Sequence, residues 1–340
     1  GRFTAMVLST PTIKSAKIYR KAKIILKEKF MADILISEFM DEEIAESLIA
    51  EFDVYWDPLL WKNKELLKRH IANSKAIIVR NDTLVDAELL ESAPNLKIVA
   101  RMGVGLDTID LVACKKRNIE VCPSIGANAV SVAEYVISTA MILLRGPSYF
   151  ATNDVISGVW DRPRFAGSRE ISGLTMGIIG FGSIGKVVAE KALALNMKVI
   201  AYDSVPQTEE ESQLDVLQVE FDELIRTSDI ISIHCPKISE TINLINKNVI
   251  KKMKNSAILI NSARGGIINE RDCAQALRNE QIAGAALDSF DIEPILPEVR
   301  KMFEGINNLI LTPHIAGVTK NSNRRIAEVA AQNVRRVFSR

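Results

Sequence analysis

Short apolar runs that alternate with longer stretches of helical period constrain the fold of this chain more than any other feature. From residue 31, "DILIS" precedes a helical pattern over 41–50, "DVYW" one over 63–73, "AIIV" one over 86–92, and "LKIVAR" one over 107–117, with "IEVC" closing the set. Parallel strands need a crossover between them, usually a helix, so the alternation predicts an α/β unit with a parallel sheet over 31 to about 127. A long helical pattern follows from Asn128 to Leu144, with Ser131 placed to cap it and Glu134 completing a capping box. A loop-rich stretch from Gly146 to Gly173 leads to six more strand-like runs, "LTMGIIGFG", "MKVIAYD", "DIISIHCP", "AILINSARGG", "IAGAALD" and "NLILTPH". A last helix is expected over 321–338.

Composition narrows the class. The chain has 340 residues, 47% of them apolar, enough for two domains with cores of their own. The longest apolar stretch, Val130 to Leu144, contains Glu134, so no membrane span is expected. The net charge of +1 is uneven: residues 1–30 carry Arg2, Lys14, Lys17, Arg20, Lys21, Lys23, Lys27 and Lys29 against Glu28 alone, which leaves the remainder near −6. A body of that sign offers no general basic surface to nucleic acid. Residues 1–30 read as a basic N-terminal extension, either solvated or a transit peptide for an organelle, with Met31 as an alternative start. Cys114, Cys122, Cys235 and Cys273 show no CxxC spacing, and His70, His234 and His314 stand far apart. Neither a metal site nor a disulfide framework is indicated, and a cytoplasmic location is expected.

The segment "GIIGFGSIGK" at 177–186 puts Gly180, Gly182 and Gly185 in the spacing G-x-G-x-x-G directly after an apolar run. Such glycines serve a tight turn, close approach of backbone to a pyrophosphate, and tight packing of helix on strand. Ser183 and Ile184 would present amides at the helix N-terminus, where an anion is favoured. Asp203 ends the next run, "VIAYD", 18 residues past Gly185. A carboxylate there suits the adenosine ribose hydroxyls and repels a 2′-phosphate, and Ser204 and Val205 supply no arginine to welcome one. NAD is the expected cofactor.

Three polar groups stand at the ends of late strands, where open α/β sheets place ligands: Arg264 in "NSARGG", Glu293 in "DSFDIEP" and His314 in "LTPHIAG". Together with "GFGSIG", Asp203, "HCPKISET" and "GAALD", in that order, they resemble the D-isomer-specific 2-hydroxyacid dehydrogenases, and most closely the D-3-phosphoglycerate dehydrogenase-like branch. The resemblance runs from about residue 34 to 338. It implies that Arg264, Glu293 and His314 are the catalytic trio. Oxidising a hydroxyl-bearing carbon needs a base for the hydroxyl proton, a role that suits His314, with Glu293 fixing its tautomer and Arg264 holding the substrate carboxylate.

The same resemblance implies two Rossmann-like domains with a cleft between them: a flavodoxin-like substrate-binding domain over 31–128 and 316–340, and a doubly wound NAD-binding domain over 129–315. The cleft is expected to close over its ligands through two hinge crossings. The resemblance implies that Asp288 accepts from the nicotinamide carboxamide, and that Cys235, Ser262, Ala263, Gly317 and Val104 contribute to the cofactor site. Cys235 reads as packing, and His234 as structural. Arg80 and Asn81 in "VRNDTLVD", with the amides of Gly103, Val104 and Gly105, are the implied substrate ligands beside Arg264. Arg101 is a further candidate for an anion. The family's dimers imply a homodimer through 129–172, with Tyr149, Phe150 and Trp160 supplying apolar contact. The expected substrate is a small anionic 2-hydroxy acid or its 2-oxo partner, D-3-phosphoglycerate or a relative such as sulfolactate or glycerate. A NAD(H)-sensing corepressor on the same scaffold is the second reading. The chain ends at Arg340, so the C-terminal regulatory domains of many phosphoglycerate dehydrogenases are not expected.

Overall fold

The computed structural model describes residues 32–205 and 214–339. The basic extension expected over 1–30 lies outside the described residues. The chain forms two units, one reaching Ala127 and resuming at Asn323, the other running from Asn128 to Ser322.

In the first unit the elements run β1 (Ile34–Ile36), α1 (Glu42–Glu51), β2 (Val54–Trp56), α2 (Lys64–Ile71), β3 (Ala76–Val79), α3 (Ala87–Glu91), β4 (Ile98–Arg101), α4 (Leu111–Lys116) and β5 (Glu120–Pro123). The strands form one parallel sheet in the order β2-β1-β3-β4-β5. Asp41, Asn63, Asp86 and Asp110 each cap the following helix by accepting a backbone N–H, which sets where four helices begin. Alternation along β1 divides the core: Ile34 and Ile36 point to one face, Leu35 to the other. The first face is covered by Ala45 and Leu48 of α1 and by Ile326, Ala327, Ala330, Ala331 and Val334. Those five belong to the last helix, so the chain's end completes its first domain.

The second unit opens with α5 (Ala129–Arg145) and α6 (Thr152–Ile156), then continues β6 (Thr175–Ile179), α7 (Ser183–Ala194), β7 (Lys198–Tyr202), β8 (Leu217–Gln218), α8 (Phe221–Thr227), β9 (Ile230–Ile233), α9 (Lys247–Ile250), β10 (Ile258–Asn261), α10 (Glu270–Arg278), β11 (Gly284–Leu287), α11 (Pro297–Phe303) and β12 (Leu309–Leu311). The last helix, α12 (Lys320–Phe338), begins in this unit and continues in the first. All seven strands are parallel, in the order β12-β11-β10-β9-β6-β7-β8. The order reverses at β6, whose neighbours are β7 and β9, and a ligand crevice belongs at the C-terminal ends of strands at such a point. Strands β9, β10 and β11 are buried along their whole length. Helices cover both faces, which is why these strands read as continuous apolar runs instead of alternating ones.

Two details depart from the sequence reading. The two-residue β8, too short to leave a pattern, adds a seventh strand to the expected six. Helix α5 starts earlier than Ser131 would have it: Asn128 occupies the N-cap and makes no side-chain cap bond. Ser131 is buried inside the first turns, where its hydroxyl meets Thr319 at 2.8 Å, and Glu134 reaches Lys191 instead of the helix start.

His234 follows β9, with Nε2 2.8 Å from Ser232 Oγ and Nδ1 buried without a partner among the described residues. Burial pushes its imidazole down to about 3. An unfolded histidine takes its proton near ~6.5. Between those values the unfolded state binds more protons, so this contribution to stability is complete above the upper value and is lost as pH falls toward the lower one. We expect the urea midpoint of cofactor-free protein to drop between pH ~7 and ~4, and to drop less in His234→Gln. Equal drops in the two proteins would assign the acid sensitivity elsewhere.

Candidate active site

The glycine turn between β6 and α7 is built as its spacing suggested, and each glycine has its own reason. Gly180 has φ +91°, and a Cβ there would stand 2.6 Å from Cys235 N, because the ends of β6 and β9 touch. A Cβ on Gly185 would stand 2.3 Å from Gly180 O, so helix and turn could not approach. Gly182, the N-cap of α7, makes no side-chain cap bond, and a Cβ there would meet nothing within 4 Å. First-turn amides have no intrahelical partner, which leaves those of Ser183 and Ile184 to an anion.

Asp203 pins this turn from the end of β7. Its Oδ2 accepts from Phe181 N at 2.7 Å and its Oδ1 from Val205 N at 3.0 Å. A carboxylate offers about four acceptor positions, so two remain open. Cys235 is partly buried against Gly180, and burial pushes its thiol up to about 11, which leaves it no thiolate chemistry near neutrality.

Past β10, Asn261 folds the "NSARGG" turn with its own side chain. Its Oδ1 accepts from Ala263 N at 3.0 Å, and its Nδ2 donates to Arg264 O at 2.9 Å. Ser262 Oγ is buried there without a partner among the described residues, a polar group left for a ligand. The Arg264 guanidinium donates to Ala263 O at 2.8 Å. Gly265 lies so close to the next loop that a Cβ would fall 1.8 Å from Phe290 C, which holds the arginine turn against the loop bearing Glu293.

Glu293 and His314 form a direct pair, Nδ1 to Oε2, at 2.8 Å. The other carboxylate oxygen accepts from Phe290 N at 2.9 Å, so the acid is anchored before it meets the ring. The peptide bond from Glu293 to Pro294 is cis. A carboxylate on Nδ1 keeps the ring proton there and leaves Nε2 with a lone pair, the arrangement of a general base. The His314 side chain is 47% exposed and faces open space.

Asp288, 1% exposed, does more than the sequence suggested. Its Oδ1 accepts from Thr312 Oγ1 at 2.6 Å and Ile315 N at 2.7 Å, its Oδ2 from Ala316 N at 2.8 Å, and its carbonyl from His314 N at 2.8 Å. Three of about four acceptor positions on the carboxylate are thus spent on the segment that carries His314, and one remains open. That support matters because His314 has φ +56°, a left-handed conformation unfavourable for residues other than glycine. Gly317 packs against Asn128 Nδ2, which a Cβ would approach to 3.0 Å.

In the first unit, Arg101 is a scaffold and not the free anion ligand its sequence position allowed. Buried, it donates to Gly105 O at 3.0 Å, Met102 O at 2.6 Å and Asn81 Oδ1 at 3.0 Å. It thereby joins the loop of Arg80 and Asn81 to the Gly103–Gly105 turn that includes Val104. Gly103 has φ +150°, and a Cβ there would stand 2.5 Å from Arg101 Nη1. Arg80 donates to Asn323 Oδ1 at 2.8 Å, and burial pulls its pKa below the ordinary arginine value against the pull of Glu38 and Asp82.

Glu38 went unnoticed in the sequence. Its buried carboxylate accepts four backbone N–H groups, from Arg80 (2.6 Å), Asn81 (2.9 Å), Asp82 (3.0 Å) and Thr83 (3.0 Å). The available signal was an acid directly after an apolar strand, in "ISEF"; its partners lie about forty residues on. Tyr135 and Thr312 were likewise unread. Among the described residues no group of three or more His, Cys, Asp or Glu could hold a metal ion, and no helix is long and apolar enough to cross a membrane.

A family model described as the D-isomer specific 2-hydroxyacid dehydrogenase, NAD binding domain, matches residues 138–316, and the chain belongs to that family of dehydrogenases. It is 42% identical over 309 residues to a (S)-sulfolactate dehydrogenase of Chromohalobacter salexigens, which covers 91% of this chain and 99% of that one. With a D-3-phosphoglycerate dehydrogenase of Archaeoglobus fulgidus it shares 39% identity over 272 residues, 80% of this chain but 51% of the relative, so it spans about half that protein's length. The crystal structure of a D-lactate dehydrogenase from Aquifex aeolicus, complexed with NAD and lactic acid, matches with a TM-score of 0.76 at 27% identity, over 90% of this chain and 95% of that one. The second unit is an NAD-binding Rossmann domain, and its uncapped α7, open Gly182 and orphaned Ser262 hydroxyl suit the dinucleotide.

Gly180→Ala should weaken NAD binding by at least about tenfold, because the methyl meets backbone and the left-handed φ penalises it, each on the scale of about 1 kcal/mol or more. Calorimetric titration with NAD measures this. An unchanged dissociation constant would show that the turn does not carry the dinucleotide.

Proposed function

We propose that this dehydrogenase moves a hydride between NAD and C2 of a small anionic 2-hydroxy acid or its 2-oxo partner, with sulfolactate ahead of D-3-phosphoglycerate and glycerate. The His314–Glu293 pair at 2.8 Å carries the chemical part of this reading. Bound NAD supplies the hydride acceptor. His314 Nε2 takes the hydroxyl proton as the C–H electron pair leaves C2, so the alcohol becomes a ketone without a free alkoxide. Glu293 steadies the imidazolium that results. Arg264 holds the substrate carboxylate by its planar fork and polarises the neighbouring oxygen.

Asp203 accepts from the ribose hydroxyls and Asp288 from the carboxamide, and the amides of Gly182, Ser183 and Ile184 donate to the pyrophosphate on a turn shaped by Gly185 and by Gly180, whose own amide donates to Tyr202 O at 2.8 Å. Cys235, Ser262, Ala263, Gly317 and Val104 complete the cofactor contacts. In the substrate-binding domain, Arg80, Asn81 and the amides of Val104 and Gly105 bind the acid's anionic groups, presented by Glu38 and Arg101; the Gly103 amide, expected to join them, instead donates to Arg101 O at 2.9 Å and shapes the turn. Similarity over 99% of a (S)-sulfolactate dehydrogenase's length supports a sulfonate as the second anion.

The test is NADH formation with both sulfolactate enantiomers, D-3-phosphoglycerate, D-glycerate and D-lactate, and the reverse reaction with the 2-oxo acids. We expect turnover of an anionic acid, with kcat/KM at least about 100-fold lower in Arg264→Ala. Undiminished turnover in that variant would overturn the mechanism. NADH binding without turnover of any acid would leave the dinucleotide-sensing role.

We further propose that two chains associate through the arm between α5 and β6. Tyr149, Phe150, Ile156 and Trp160 are all exposed there, a concentration of apolar surface unusual for a lone chain. Light scattering should give about twice the chain mass of 37.6 kDa for the full chain, and about one chain mass for a Trp160→Asp, Ile156→Asp variant. A single-chain mass for the unaltered protein would overturn this.

A further inference from the structure

One face of α5 holds the segment that carries the base. Asn128, Ser131 and Tyr135 stand three and four residues apart and share that face. Each meets 312–319: Asn128 packs against Gly317, Ser131 Oγ lies 2.8 Å from Thr319 Oγ1, and Tyr135 Oη lies 2.6 Å from Thr312 Oγ1. Thr312 Oγ1 in turn lies 2.6 Å from Asp288 Oδ1.

The direction of donation along this chain is fixed by counting hydrogens. Thr312 Oγ1 donates to Asp288 Oδ1, and both oxygens of that carboxylate also accept backbone N–H groups. A hydroxyl carries one hydrogen, so Thr312 spends its own on Asp288 and must accept from Tyr135. Burial pushes the Tyr135 hydroxyl up to about 12, so this donor keeps its hydrogen across the neutral range.

We propose that Tyr135 is a positioning residue for His314, holding the ring in line with Glu293 by donating through Thr312 to Asp288. Tyr135 touches none of the reacting atoms. The Asp288 carboxylate fixes the amides of Ile315 and Ala316, and its carbonyl fixes that of His314. Without the tyrosine hydroxyl, Thr312 is free to turn, and the left-handed His314 backbone loses the outermost member of its support. A chain of donors aimed one way also strengthens each bond in it. The proposal rests on the reading of His314 as the base.

The chain has three histidines, so spectra of protein labelled with ¹⁵N-histidine are sparse, and His314→Gln assigns the signal. In the unaltered protein without ligand we expect His314 to hold its proton on Nδ1. In Tyr135→Phe and Thr312→Val the signals should move toward a mixture of tautomers, and Thr312→Ser, which keeps the hydroxyl, should restore them. The double variant should look like either single one. On an acid that the enzyme turns over, Tyr135→Phe should lower kcat about 3- to 10-fold while KM for NAD stays within about twofold, the scale of one lost hydrogen bond. Unchanged His314 signals in both Tyr135→Phe and Thr312→Val would overturn the proposal. Should Tyr135→Phe lower the unfolding midpoint, the Thr312→Val and Thr312→Ser pair still decides it. If no acid is turned over by the unaltered protein, the dehydrogenase reading fails, and the nitrogen signals continue to test the positioning role.

Discussion

Parallel pairing is the constraint on which the rest depends. A parallel sheet brings every strand's C-terminal end to one edge, and the crossover helices leave that edge free. In the second sheet Ile179, Ile233, Asn261, Leu287 and Leu311 are joined by register, β6 to β9 to β10 to β11 to β12. Their successors in sequence are therefore gathered along one line: Gly180, His234, Ser262, Asp288 and Thr312. No residue had to be near another in the sequence for the site to assemble. The chain needed only to end each strand with the right group.

Within that frame, buried or partly buried carboxylates organise backbone. Glu38 gathers four amides of one loop, Asp288 holds the amides of Ile315 and Ala316 and the hydroxyl of Thr312 around His314, and Asp203 pins Phe181 and Val205. A loop that carries ligand-binding groups has few hydrogen bonds of its own, and an acid reaching in from another strand end supplies them. Burying an anion is costly unless it is fully hydrogen-bonded, which is why each of these takes several donors. The benefit is rigidity at the positions that must not wander. Arg101 does the same with the opposite charge, by donating to carbonyls.

The parts legible in the sequence were those with a local signature. Every strand of the first sheet lies within a residue or two of its apolar run, because strands covered on both faces leave an unbroken hydrophobic record. The glycine turn was legible because its spacing encodes local geometry. The pairing of His314 with Glu293 came from resemblance and chemical type, since nothing local joins residues twenty-one apart across a strand and a helix. Tyr135 and Thr312 left no trace and Glu38 only an acid just past an apolar strand, because each acts on a segment distant in sequence and residues of their types occur at many strand ends and helix faces. Ser131 misled for a related reason: its spacing to Glu134 fits a cap, but tertiary pairing with Thr319 gave the hydroxyl a partner that no local rule could weigh.

On the proposed reading of the glycine turn, Asp203 serves cofactor choice through the same bonds that do structural work. Its two backbone bonds fix the carboxylate beside the glycine turn, so the negative charge cannot swing away from it. The hydroxyls of a ribose can still donate to its remaining lone pairs, but a 2′-phosphate would meet a fixed like charge. A neighbouring arginine could offset that repulsion, yet Ser204 and Val205 carry no charge and Val205 is itself bonded to Asp203. On that reading, discrimination against the phosphorylated cofactor is a by-product of holding the turn together. Exchanging Asp203 for a neutral residue to admit that cofactor would loosen the same loop that must grip its pyrophosphate.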